Sequence, residues 1–184
     1  MIRIKINLTL IAIWVCSFSF GQNFTHQDTL RGSITPERVW WDLKFYDLTV
    51  KVDPTTKSIT GKNIIRYKVL DEKQVLQVDL QPPLKIEKII QDGNNLEFQS
   101  DINAHFATLQ KPQKKGEINE ITVYYSGQPK VAIRAPWDGG FSWAKDDNGK
   151  DFIATSCQGL GASVWWPCKD HMYDEVDSMA ISIE

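Results

Sequence analysis

The chain has 184 residues, 24% charged and 42% apolar, proportions that fit a domain with a sizeable core and exclude a disordered or collagen-like chain. Lys and Arg number 21 against 23 Asp and Glu, for a net charge of -2, so there is no basic excess to hold a nucleic-acid backbone and no nucleic-acid partner is expected. Three histidines and three cysteines limit the metal chemistry open to the chain alone, while seven tryptophans supply an unusual amount of aromatic surface.

Residues 1–21 read as a cleavable secretory signal. Arg3 and Lys5 give a positive start, Leu8 to Phe20 is almost wholly apolar, and Ser19 and Gly21 are small residues ahead of a cut before Gln22. The apolar run is shorter than the roughly 20 residues a spanning helix needs. A periplasmic or secreted chain with no stable membrane insertion is therefore expected. Residues 22–35 are polar and without period, and read as an extended leader.

From Trp41 the period becomes two. Trp41, Leu43 and Phe45 alternate with Asp42 and Lys44, then Leu48, Val50 and Val52 alternate with Thr49 and Lys51. This predicts a half-buried strand with a shift of face near Tyr46-Asp47. Asp53-Pro54-Thr55-Thr56-Lys57 is turn chemistry, and a second strand from Ile59, with Ile65, Tyr67 and Val69 on one face, closes a hairpin. Further strands are predicted over Leu76–Leu80, Leu84–Ile90, Leu96–Phe98 and Ile121–Tyr125, with a turn at Asp92-Gly93. Phe141-Ser142-Trp143 leads into Asp146-Asp147-Asn148-Gly149, read as a hairpin turn with two residues at positive φ, and Phe152–Cys157 returns. No stretch after residue 22 holds a helical period for three turns. An all-β fold follows: a curved antiparallel sandwich or saddle of about eight or nine short strands. Met179–Glu184 starts one more alternating strand, so the chain reads as truncated within a final strand.

The common catalytic signatures are missing. His26, His105 and His171 sit in no His-Glu-x-x-His, Gly159-Leu160-Gly161 opens no phosphate loop, and Ser163 lies in no nucleophile elbow. Three constellations remain. Arg134 to Trp143 pairs glycines with Trp137 and Trp143, which suit either stacking on a ligand or plugging a sheet edge. Asp170-His171-Met172-Tyr173-Asp174-Glu175 with Asp177 has the carboxylate density for a hard cation, or for capping a polar loop. Cys157-Gln158-Gly159-Leu160-Gly161-Ala162-Ser163-Val164-Trp165-Trp166-Pro167-Cys168 runs from a strand through small residues into paired tryptophans. Cys157 and Cys168 fit either a disulfide or two separate thiols.

This last segment, continued through Lys169-Asp170, resembles the N-terminal domain of the family M1 zinc aminopeptidases, which includes aminopeptidase N and leukotriene A4 hydrolase. The hairpin Tyr46 to Pro54 with Ile59-Thr60-Gly61 fits as well. Trp137-Asp138-Gly139-Gly140-Phe141 is similar to secreted members from Bacteroidetes-like bacteria. The resemblance covers roughly residues 32–184, and it makes 36–184 the family's N-terminal β domain. It implies a saddle that packs on a catalytic domain, in the same polypeptide or a downstream fragment. The family's zinc ligands belong to that domain, so no cofactor and no catalytic residue is expected in this chain. It also implies that Gln158, followed by Gly159, binds the free amino terminus of a peptide substrate. The alternative is a stand-alone secreted β-sandwich module that binds a glycan or a protein through Trp137, Trp143, Trp165 and Trp166.

Overall fold

The computed structural model describes residues 24–184. The expected signal peptide and its cleavage site lie outside the described residues. Ten strands are present among the described residues: β1 (Trp41–Asp53), β2 (Ser58–Val69), β3 (Val75–Asp79), β4 (Lys85–Gln91), β5 (Asn94–Asp101), β6 (Ala104–Thr108), β7 (Ile118–Gly127), β8 (Gly140–Lys145), β9 (Asp151–Ser156) and β10 (Ser178–Ile183). Eight form a curled sheet in the order β10-β1-β2-β7-β4-β5-β6-β3, and β8-β9 is a separate hairpin. The fold is all-β. No described helix is long and apolar enough to cross a membrane.

The curl is made by β5. Its first residues, Asn94 to Leu96, pair with β4, while Glu97 to Asp101 pair with β6. One strand thus serves both halves of the sheet and turns the corner between them. The apolar inner faces of the two halves enclose one core around Trp40, Trp41, Tyr67, Leu48, Ile65 and Leu76. Trp40 and Trp41 both meet the Tyr67 ring edge-on.

Two local details differ from the sequence reading. The face shift in β1 falls at Lys44, where the register slips between Leu43 and Phe45. Phe45 is therefore only half-buried, with the Arg66 guanidinium 5.5 Å above its ring, and Tyr46 takes the inward position. The Asp146–Gly149 turn has only Gly149 at positive φ. It closes on a Gly149 N–H bond to the Asp146 carbonyl, with the Asp146 carboxylate taking the Asn148 and Lys150 amides. Asp92-Gly93 has both residues at positive φ, as a tight hairpin requires.

The antiparallel expectation holds for every pair but one: β10 runs parallel to β1. The expected extended leader is also revised, because residues 24–35 contain a helix, α1 (His26–Gly32). The Thr25 hydroxyl accepts from the Asp28 amide and the Asp28 carboxylate takes the Thr25 amide, a reciprocal cap that satisfies two otherwise orphaned donors. A four-residue turn of helix, α2 (Pro36–Val39), then leads into β1.

His105 on β6 is buried and fully bonded. Its Nε2 donates to the Leu80 carbonyl at 3.1 Å, so Nδ1 accepts from the Ser100 hydroxyl at 2.8 Å. Burial lowers its pKa below the ordinary histidine value. The unfolded chain then binds a proton that the folded chain refuses, so stability is full above about pH 6.5 and falls as pH drops below it. Urea midpoints at about pH 7.5 and 5.5 should therefore differ more for the parent than for a His105→Gln variant. Equal differences in the two proteins would show that His105 does not carry the effect.

Candidate functional site

The segment after β9 turns sharply. The amides of Leu160 and Gly161 both donate to the Cys157 carbonyl, at 3.1 and 2.9 Å. This closed turn pushes Gln158 and Gly159 out into solvent. The Gln158 amide N–H donates to the Ser156 hydroxyl at 3.4 Å, and no described group bonds its side-chain amide. A neutral acceptor is thus displayed at the tip of a short turn, free to take a charged donor.

The turn is clamped from both sides. Arg31, on the helical segment first read as leader, donates from Nη1 to the Gly159 carbonyl at 2.6 Å. Gln81 donates to the Leu160 carbonyl at 2.6 Å and to the Ser163 hydroxyl at 2.8 Å. Asp170 accepts from the Ser163 amide and hydroxyl. Its own amide donates to the Asp79 carboxylate at 2.9 Å. Asp79 also grips Arg38, both carboxylate oxygens lying 2.7 Å from Nη2. Burial pushes the Asp79 carboxyl up, and the Arg38 guanidinium pulls it back.

Ser163 to Asp170 then covers the open side of the curled sheet. Asp79 and Cys168 exchange backbone bonds at 2.8 and 3.0 Å, which caps the β3 edge. Trp166 packs edge-on against Tyr46 at 4.8 Å, and Asn63 donates to the Pro167 carbonyl at 2.9 Å. Lys169 is buried beneath the Trp41 ring at 4.0 Å, bonded to the Trp41 carbonyl and paired with Asp174. Burial lowers its pKa, and Asp174 opposes the shift. An open groove of about 570 Å³ runs between α1 and residues 169–172, with Arg31, Asp170 and His171 on its walls.

Three of the run's four carboxylates are engaged internally. Asp170 serves Ser163, Asp174 serves Lys169 and the Leu43 amide, and Asp177 pairs with Lys44. These carboxylates cap a polar loop, the second of the two readings. Cys157 and Cys168 are both free thiols, the first exposed and the second buried. Burial pushes both thiols up, at Cys157 despite the residue's exposure, so neither is poised as a thiolate. The tryptophans divide. Trp166 is buried, and Trp143 and Trp165 pack against the core with Phe141, while Trp137 is 72% exposed. They form no common stacking platform, which removes the main support for a glycan-binding module.

Arg31, Arg38, Gln81 and Asp79 were not singled out in the sequence. Asp79 alternates with the apolar Val78 and Leu80, and Gln81 follows them, so the period alone places both toward solvent. For Arg31 the one available signal was the Thr25-x-x-Asp28 cap that makes its helix.

Solved structures share this fold. An M1 zinc metallopeptidase from Deinococcus radiodurans, a mutant bound to a Tyr-Ser-Ala substrate, matches over 83% of this chain and 35% of its own, with TM-score 0.62 and 17% identity. Native yeast LTA4 hydrolase matches over 88% of this chain and 27% of its own, with TM-score 0.61 and 15% identity. A two-domain M1 zinc metallopeptidase mutant bound to L-arginine matches over 79% and 33%, with TM-score 0.60 and 19% identity. The chain spans about a third or less of these proteins. No protein-family model and no curated protein matches it. The likeness is one of fold, and it falls on the group of proteins that the Cys157–Asp170 run resembles.

Proposed function

We propose that the chain is the N-terminal, non-catalytic β domain of an M1-type zinc metallo-aminopeptidase. In this reading it packs on a catalytic domain that holds the zinc, acts outside the cytoplasm, and uses Gln158 to help bind the free amino terminus of a peptide. The observation that carries the proposal is the Gln158 turn. An exposed amide with no partner among the described residues sits on a turn fixed by Arg31, Gln81 and Asp170. The Gln158 side chain is exposed and bonds no described group, so its amide is open to a ligand. Its oxygen suits an α-ammonium, and the rigid turn keeps the ordering cost of binding low.

The test joins this chain to its catalytic region and compares Gln158→Ala with the parent on an alanyl anilide. A hydrogen bond to a charged group contributes roughly 1.5–3 kcal/mol, so kcat/KM should fall about tenfold or more. The loss should be confined to substrates with a free amino terminus. An unchanged kcat/KM in a folded variant would make Gln158 structural.

A further inference from the structure

The tip of the candidate turn is held unevenly. Gln81 holds the Leu160 carbonyl and Asp170 holds Ser163, both downstream of Gly159. Gly159 itself has φ 69°, and a Cβ there would meet nothing within 4 Å. A glycine at positive φ with space around it is where a turn swivels most easily. Within the tip, the Gln158 amide makes only the long 3.4 Å bond to Ser156, while the Gly159 carbonyl accepts from Arg31 at 2.6 Å. No other hydrogen bond from a described residue reaches Gln158 or Gly159. The direction of the tip therefore hangs on Arg31.

Arg31 is carried on α1, which adds no residue to the core. Its seven residues are too few for a helix to hold itself in water. Side chains tie it down instead. Arg38 Nη1 donates to the carbonyls of Leu30, Arg31 and Ser33. His171 Nε2 donates to the Gly32 carbonyl at 3.1 Å, its Nδ1 accepting from the Tyr173 amide. At the other end His26 Nε2 lies 2.8 Å from the Asp101 carboxylate. Arg38 is gripped in turn by Asp79, which also takes the Asp170 amide. One buried carboxylate thus anchors both clamps of the turn, through Arg38 and α1 on one side and through Asp170 and Ser163 on the other. A segment that adds nothing to the core, is fastened at both ends and delivers one guanidinium to one carbonyl is built to aim that guanidinium.

We propose that α1 is a positioning strap for the amino-terminus site: Arg31, fixed through Arg38 to Asp79, sets the direction in which Gln158 presents its side-chain amide. The strap rests on the reading of Gln158 as the acceptor of a peptide's α-ammonium. Arg31 is a positioning residue, acting through the Gly159 carbonyl and not on the substrate. Charge gives the role a sign that can be read. A guanidinium near a bound ammonium repels it, so if Arg31 acted through its charge alone, its loss would tighten binding. Positioning predicts the opposite.

The experiment joins this chain to its catalytic region and compares Arg31→Met, Arg31→Lys, Gln158→Ala and the Arg31→Met, Gln158→Ala double variant with the parent on an alanyl anilide. Arg31→Met keeps the stem and loses the donors, so it should raise KM and lower kcat/KM about threefold or more. Arg31→Lys keeps one charged donor group and should recover part of the loss. With Gln158→Ala in place, Arg31→Met should change kcat/KM by less than about twofold, since nothing remains to be aimed. Because α1 adds nothing to the core, circular dichroism and Tm should stay close to the parent's. If Gln158→Ala lowers kcat/KM while Arg31→Met leaves it unchanged, or lowers KM, the strap is overturned and the reading of Gln158 stands. Equal losses from Arg31→Met with and without Gln158 also overturn it, because Arg31 then acts elsewhere. If Gln158→Ala itself changes nothing, the reading of Gln158 fails and the strap falls with it.

Discussion

Asp79→Ala should destabilise the protein by about 3–5 kcal/mol, since it strands a buried charge, and lower Tm by on the order of 10 °C. Arg38 is fully buried, and its ion pair with Asp79 is almost as well shielded. Losing the carboxylate removes the acceptor of Arg38 Nη2, of the Gln77 side chain at 2.7 Å and of the Asp170 amide. Water cannot replace it at a closed site without opening the packing around Trp40 and β3. Asp79→Asn should recover little, because its amide puts a donor against the guanidinium.

The same change should be felt at α1. Arg38 Nη1 donates to the carbonyls of Leu30, Arg31 and Ser33, a cation placed at the helix C-terminus. When Arg38 is released, α1 loses its anchor, and Arg31 loses its aim at Gly159. Limited proteolysis should then cut residues 24–35 sooner in Asp79→Ala than in the parent. Replacing both partners by apolar residues, Arg38→Met with Asp79→Leu, should cost less than Asp79→Ala alone. An Asp79→Ala protein with the parent's Tm would show that Arg38 finds other acceptors.

Period-two alternation made β1, β2 and β7 legible, because one face of each is buried and the other is not. The same rule misplaced Phe45: the aromatic rhythm runs on unbroken, and only the slip at Lys44 turns it outward. β6 escaped notice because Ala104-His105-Phe106-Ala107-Thr108 has little apolar volume, and its stability comes from lying between β5 and β3. α1 escaped because it buries no residue and so carries no apolar stripe, although Thr25-His26-Gln27-Asp28 spells its cap. At the candidate site, Cys157 to Asp170 stood out as a run. Its clamps did not, because Arg31 and Asp79 reach it across 128 and 91 residues of sequence. A lone arginine in a polar stretch and an aspartate on a strand carry no mark of such partners.

Gly161→Ala should cost about 3 kcal/mol or more, from two separate causes. Gly161 has φ 80° and ψ 176°, a region that essentially only glycine occupies. A Cβ there would also fall inside contact distance of the Asp170 carboxylate. Asp170 would have to swing away, releasing the Ser163 amide and hydroxyl and loosening the turn that displays Gln158. Gly159→Ala supplies the comparison: φ is also positive, at 69°, but a Cβ there meets nothing within 4 Å. It should cost only roughly 1–2 kcal/mol, the backbone share alone. The two causes separate in a double-mutant cycle. With Asp170→Ala already in place the Cβ has room, so Gly161→Ala should then cost only its backbone share, roughly 1–3 kcal/mol. Urea midpoints of the four cycle members and of Gly159→Ala measure all of this. Equal losses for Gly159→Ala and Gly161→Ala in the parent, or a cycle that closes additively, would show that the carboxylate does not press on Gly161 and that the turn is held by Arg31 and Gln81 alone.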